Sequence, residues 1–283
     1  MSEEQTDAYL AELAKAVPVT NLSKIYFNDR SRVYKGFIED KPVAIKICAK
    51  KGIVQNINKE IAILKTIKHP GIVKYESHGR FKTFWNESIR YLIEEFVEGD
   101  TISKRVDSKG AMRWEDAVDY TLQICHVLKT FHDKKLFIAD LKPDNIFITP
   151  QNKIKFVDFG TVQKYPYTVK EIAPGTIGYM CPDWMTCPQV DAGVDIYSSG
   201  IILYEMLTGE IPFKKELDDA ESTGSFEKLI RRQLHCHLNL DRPSINKNAP
   251  NQLEKVYRQM MTPMRYFRYL TIDAVIEDLK QVQ

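Results

Sequence analysis

The chain has 283 residues, with 40 lysines and arginines against 38 acids and a net charge of +2. That balance leaves no basic or acidic field of the kind that recruits nucleic acid or an anionic membrane. Hydrophobic residues at 43% and charged residues at 28% fit an ordinary soluble globular chain, long enough for one large two-lobed domain or two modest ones.

The start, "MSEEQTDAYLAELAKAV", is acidic and lacks a basic n-region and an apolar h-region, so it does not read as a secretory signal. Leu10, Leu13, Ala14 and Val17 share a helical stripe that Pro18 ends. The spacing predicts a short helix packed on the body of the protein. From Leu22 to Phe96 the pattern is mostly strands: "RVYKGFI" and "KPVAIKIC" form a hairpin, and "GIVKYESHG" and "IRYLIEEFV" are two more. "RFKTFW" reads as a loop or hairpin extension. "INKEIAILKTI" interrupts the series as an amphipathic helix, with Ile57, Ile61, Leu64 and Ile67 at helical spacing.

After "EGD" the texture changes to helix. "WEDAVDYTLQICHVLKTFHDK" is a long helix with Ala117, Tyr120, Ile124, Val127, Leu128 and Phe131 on one side. Two short strands, "NIFITP" and "KIKFVDF", turn at "QN". "VDIYSSGIILYEMLTG" is an apolar, buried helix capped by Gly209. "DDAESTGS" (218–225) reads as a mobile loop, and the tail from Asn251 as helical. No run approaches the roughly 20 apolar residues that cross a bilayer. Five scattered cysteines, Cys48, Cys125, Cys181, Cys187 and Cys236, form no C-x-x-C pair and argue for reduced thiols in a cytoplasmic setting. "HCH" (235–237) has no second cluster to complete four metal ligands and reads as a loop. His132 reads as a structural residue.

Two short segments carry chemistry. "DLKPDN" (140–145) puts an acid, a lysine and an amide within six residues before a strand, and "DFG" (158–160) puts another acid after the next strand. Phosphoryl transfer uses such groups. A carboxylate orients the attacking hydroxyl, hard oxygens hold Mg²⁺, and cations neutralise phosphates.

With these segments the chain resembles the eukaryotic-type protein kinases, from about Leu22 to Lys280. "VAIK" is similar to the family's strand-borne lysine motif, "INKEIAILKTIKHPGIVKY" to its regulatory helix, and "DLKPDN" to its catalytic loop. "GTIGYMCPD" (175–183) resembles the end of the activation segment, and "DIYSSGIILYEMLTGEIPF" the buried helix that anchors the catalytic loop. Six motifs in the right order are far more specific than any one alone.

The resemblance implies an α+β fold with a β-rich N-lobe (22–97) and a mainly helical C-lobe (98–283), after an N-terminal helical extension (1–21). It implies ATP and Mg²⁺ as cofactors. Lys46 would clamp the phosphates and pair with Glu60. Asp140 would be the base, Lys142 would lie near the γ-phosphate, and Asn145 and Asp158 would hold the metal. Val33, Ala44, Glu95, Val97 and Phe147 would bind the nucleotide, Glu95 and Val97 through their backbone. Asp195 would anchor the catalytic loop, and Arg268 would pair with Asp183. Lys142 and Thr176 are the forms that go with Ser/Thr kinases, so the partner implied is a protein with a Ser or Thr acceptor. An activating protein partner fits the same resemblance. The alternative is a pseudokinase, a nucleotide-binding or scaffolding module.

Three positions depart from the family. Aligning Val33 places Tyr26, Asn28 and Ser31 where the phosphate loop has glycines. A Cβ in the left-handed conformation costs about 1–2 kcal/mol per residue, so another loop shape and weaker phosphate contact are expected. Arg30 and Arg32 offer side-chain cations, but strand parity with Val33 turns Arg32 to solvent. Ile138-Ala139-Asp140 replaces H-R-D. Ala139 removes the arginine that usually receives an activation-loop phosphate on residues such as Thr161, Tyr165, Tyr167 or Thr168. Glu94 falls at the gatekeeper, a position usually apolar or Thr, where a carboxylate is costly unless it is paired or protonated. It would meet a lysine or the adenine amino group, unless the alignment slips by one residue.

Overall fold

A computed structural model describes residues 11–27, 32–48, 51–83, 86, 88–169, 175–221, 228, 231–233, 235–236 and 249–282. The predicted phosphate-loop positions Asn28, Arg30 and Ser31 lie outside the described residues, as do residues 222–225 of the expected mobile loop and His237. The chain divides into two compact units. One runs through Glu98 and regains Val157–Gly160; the other holds Gly99–Phe156 and the chain from Thr161.

The first unit is an antiparallel five-stranded sheet in the order β1-β2-β3-β5-β4. Its strands are β1 (Thr20–Phe27), β2 (Arg32–Ile38), β3 (Lys41–Cys48), β4 (Tyr75–Lys82) and β5 (Ser88–Glu95). Strand alternation gives the sheet two unlike faces. Tyr34, Val43, Ile45, Ile47, Ile89 and Ile93 point one way and join Leu13, Val17 and Val19 in one core cluster. Leu13 comes from helix α1 (residues 11–16) and is fully buried; of the stripe predicted at the N-terminus, Leu13 and Val17 pack on the sheet, Ala14 is exposed and Leu10 lies outside the described residues. Gly36 makes room for the segment that follows. A Cβ there would lie 2.2 Å from Val19 Cγ1. The other face carries Val33, Ala44, Lys46, Leu92 and Glu94, by the pairings Val33 with Lys46, Lys46 with Leu92 and Ala44 with Glu94. Helix α2 (Lys51–Thr66) packs against the sheet and buries Ile57, Ile61 and Leu64.

Two expectations shift here. β4 starts at Tyr75, not Gly71, and runs through Arg80–Lys82, so the start of "RFKTFW" is strand. Arg32 pairs with Ile47 on the face away from Lys46. It is half-buried there, not solvated.

The second unit is mainly helical. Strand β6 (Asp100–Thr101) leads into helix α3 (Ile102–Lys109), which has only Ile102 and Val106 buried and gave no clear periodic signal in the sequence. Helix α4 (Trp114–His132) is followed by β7 (Leu136–Phe137), then by β8 (Ile146–Ile148) and β9 (Ile154–Phe156), which pair across the predicted turn. After the short helix α5 (Asp183–Thr186), helix α6 (Gly193–Thr208) is buried from Val194 to Leu207 and ends on Gly209 in the left-handed conformation, φ 89°. Asp218–Glu221, expected as loop, instead closes helix α7 (Lys214–Glu221). Here Lys214 pairs with Asp218 one turn away, a local tie that the loop reading overlooked. His235 and Cys236, also expected as loop, are helical, with Cys236 buried. Helices α8 (Asn251–Met260) and α9 (Ile272–Lys280) close the chain. Among the described residues no helix is long and apolar enough to cross a membrane.

Candidate active site

The predicted residues fall into two groups, one in each unit. In the first, β3 presents Lys46 and α2 presents Glu60. Lys46 Nζ donates to Glu60 Oε2 at 2.8 Å and lies 2.9 Å from Asp158 Oδ1. The backbone N–H of Phe159 donates to Glu60 Oε1 at 3.2 Å, so both oxygens of a carboxylate 1% exposed are used. Burial works against the charge of Lys46, but Glu60, Asp158 and Glu94 outweigh it and hold the ammonium pKa above its ordinary value. Burial likewise pushes the Glu60 carboxyl up, against the pull of Lys46. Asp158 sits at φ 64° and accepts from Gly160 N–H at 3.2 Å. A non-glycine residue in that conformation is uncommon, and such strain gathers at functional sites.

On the same sheet face, Val33 is half-buried and Ala44 is buried. Glu95 and Val97 follow at the end of β5. The Glu95 N–H donates to the Lys74 carbonyl at 2.9 Å, and its Oε2 accepts from Lys74 N–H at 3.0 Å. Glu94 is 6% exposed, and its Oε2 lacks a hydrogen-bond partner among the described residues. Burial, then the neighbouring Glu60 carboxylate, pushes its pKa up to about 8.

In the second unit, the loop after β7 carries Asp140 and Lys142, and a 3₁₀ turn, Pro143–Asn145, leads from Asn145 into β8. Asp195 on α6 is 1% exposed. It accepts from Ile138 N–H at 2.9 Å and Ala139 N–H at 3.3 Å, and its Oδ2 lies 3.0 Å from His132 Nε2. Those bonds fix the loop from below, with Ala139 held at φ 69°. Ile138 is buried, as an apolar replacement for histidine requires. Thr176 Oγ1 donates to Asp140 Oδ1 at 2.8 Å and accepts from Lys142 Nζ at 3.1 Å. Arg268 and Asp183 form the anticipated pair, a buried two-pronged contact at 2.8 and 3.0 Å. Phe147 lies half-buried on β8.

Sequence reasoning missed one polar contact in this unit. Tyr179 O–H donates to Glu205 Oε2 at 2.8 Å, and burial raises the Glu205 carboxyl to about 7. The signal was there: Glu205 is the only acid in the apolar run "IILYEMLTG", and a buried charge needs a partner.

The fold and these two groups of residues define a protein kinase domain, and residues 27–278 match the model of that family, described as "Protein kinase domain". The chain belongs to it. Among curated relatives, it is 32% identical to the human serine/threonine-protein kinase ULK3 over 234 residues, which is 79% of this chain and 47% of that protein. It is 26% identical to a probable serine/threonine-protein kinase of Clostridium perfringens over 96% of this chain and 38% of that one. Against the probable serine/threonine-protein kinase PknB of Lactococcus lactis it is 25% identical, over 88% of this chain and 39% of the other. The chain thus spans between 38% and 47% of the length of these relatives.

Proposed function

We propose that this chain transfers the γ-phosphate of ATP to a serine or threonine hydroxyl of a protein substrate. The observation that carries the reading is the Lys46–Glu60–Asp158 cluster, a buried cation held between two carboxylates at 2.8 and 2.9 Å. Nothing in the packing of the sheet requires a charged trio there, while phosphate binding and metal binding do.

In this reading Lys46 holds the α/β-phosphates and Val33 and Ala44 cover the base. Glu95 and Val97 offer backbone groups to its edge, and Phe147 contributes apolar contact. The acceptor hydroxyl takes the place of Thr176 Oγ1, which donates to Asp140 Oδ1 at 2.8 Å. The acceptor oxygen bonds to the γ-phosphorus, the bond to the bridging oxygen breaks, ADP leaves, and the hydroxyl proton passes to Asp140. Lys142 balances charge beside Asp140, at 3.7 Å from its Oδ2. Asn145 and Asp158 would each offer a hard oxygen ligand, which suits Mg²⁺; the ion would neutralise phosphate charge. The serine/threonine names of the relatives support the acceptor class. A reducing, cytoplasmic setting fits five cysteines none of which forms a disulfide. An activating protein partner belongs to the same reading, because Ala139 leaves the usual phosphate receiver absent.

The test is incubation of purified protein with Mg-ATP and a generic basic protein. Phosphate incorporation that Asp158→Ala, Asp140→Asn and Lys46→Met each abolish is the expected result. Nucleotide binding without transfer would point to a scaffolding module instead.

A further inference from the structure

Glu94 presents an acceptor with nothing to accept. It lies on β5 opposite Ala44, is 6% exposed, and its Oε2 has no hydrogen-bond partner among the described residues. Buried polar atoms are nearly always paired, so an unpaired one asks for an explanation. Lys46, two residues from Ala44 on the same face, has its ammonium committed to Glu60 and Asp158. What remains is a donor that arrives with the ligand.

We propose that Glu94 reads the purine: its Oε2 accepts a hydrogen from the 6-amino group of ATP and so selects it over triphosphates lacking that group. The proposal rests on the nucleotide reading above. The 6-amino group has two hydrogens, and a single backbone carbonyl at the end of β5 accepts one. The face that bears Ala44 and Val33 brings the base edge to Glu94, which immediately precedes that carbonyl in the chain. Either protonation state of the carboxyl keeps one oxygen able to accept. A site built around such a bond rejects the analogue without it, because the protein's own polar group is then left unpaired.

The experiment is competition binding against a fluorescent ATP analogue, with ATP and with purine riboside 5′-triphosphate, which lacks only the 6-amino group. It compares the wild-type chain with Glu94→Leu and Glu94→Gln. The preference for ATP should fall by about 10- to 100-fold in Glu94→Leu and largely survive in Glu94→Gln, whose amide oxygen also accepts. A ratio of two affinities measured in one variant cancels any loss of folded protein. Should Glu94→Leu not fold, Glu94→Met supplies the apolar comparison. Equal preference in wild type and the apolar variant overturns the proposal and leaves the kinase reading intact. Failure of the wild type to bind either nucleotide overturns the kinase reading and this proposal with it.

Discussion

At the scale of single residues, the site is organised by what burial demands. Lys46 is 14% exposed and Glu60 1%. Removing one partner of such a pair strands the other, a loss of about 3–5 kcal/mol. Lys46→Met should therefore lower stability as well as end transfer, and Glu60→Gln should cost less, because Asp158 still holds the ammonium. Denaturant titration of the two variants checks the order. Glu94 makes the opposite prediction. Burial and the neighbouring Glu60 carboxylate raise its pKa in the folded chain from the ordinary 4.5 to about 8. Between those two values the unfolded chain has released a proton that the folded chain retains, so stability from this group is full below pH 4.5 and drains as pH rises through 8. Glu94→Leu cannot titrate. Its unfolding free energy should exceed that of wild type by a margin that widens from about pH 5 to about pH 8, at up to about 1.4 kcal/mol per pH unit. A margin independent of pH would mean that Glu94 is not protonated on folding.

At the scale of elements, periodic apolar stripes were legible and short or polar elements were not. Helix α6 is apolar all round, so its burial and its Gly209 end could be read directly from the sequence. Helix α3 rests on Ile102 and Val106 alone, a spacing too sparse to tell from loop. The loop reading of 218–221 failed because a run of acids and small residues looks the same whether or not Lys214 precedes it by one turn. The N-terminal stripe is the instructive case. Sequence shows that Leu13 and Val17 share a face, but only the sheet register shows that they cover the side opposite Lys46. If α1 helps hold the sheet together, Leu13→Ala should cost about 2–4 kcal/mol in denaturant unfolding. Gly36→Val should be comparably damaging, since Val19 already fills the space. A cost within about 0.5 kcal/mol for Leu13→Ala, as at an ordinary surface position, would instead fit a helix kept for a partner.

At the scale of the whole molecule, the proposed site residues could be picked out because the chemistry of phosphoryl transfer restricts their types and order. The contacts that hold them were less so, because they join residues far apart in sequence: Asp195 to Ile138, Arg268 to Asp183, Tyr179 to Glu205. One consequence concerns how the enzyme is turned on. The resemblance implies an arginine at position 139 as the usual receiver of an activation-segment phosphate. Here Ala139 is buried and its N–H is spent on Asp195. Two of the hydroxyls that could carry a phosphate are already engaged: Thr161 Oγ1 donates to the Ile138 carbonyl at 2.8 Å, and Tyr165 O–H donates to the His132 carbonyl at 2.9 Å. Tyr167 stacks edge-on against Trp184 and Phe137, and a dianion there would have to leave an aromatic cluster. Only Thr168 is exposed, at the edge of a two-residue strand. Phosphorylation at the first three sites would break contacts without making the charge-assisted ones that order such a segment. Transfer activity should accordingly be the same before and after phosphatase treatment, and Thr168→Ala should leave it unchanged. A several-fold drop on phosphatase treatment would show that another cation takes the role of the missing arginine.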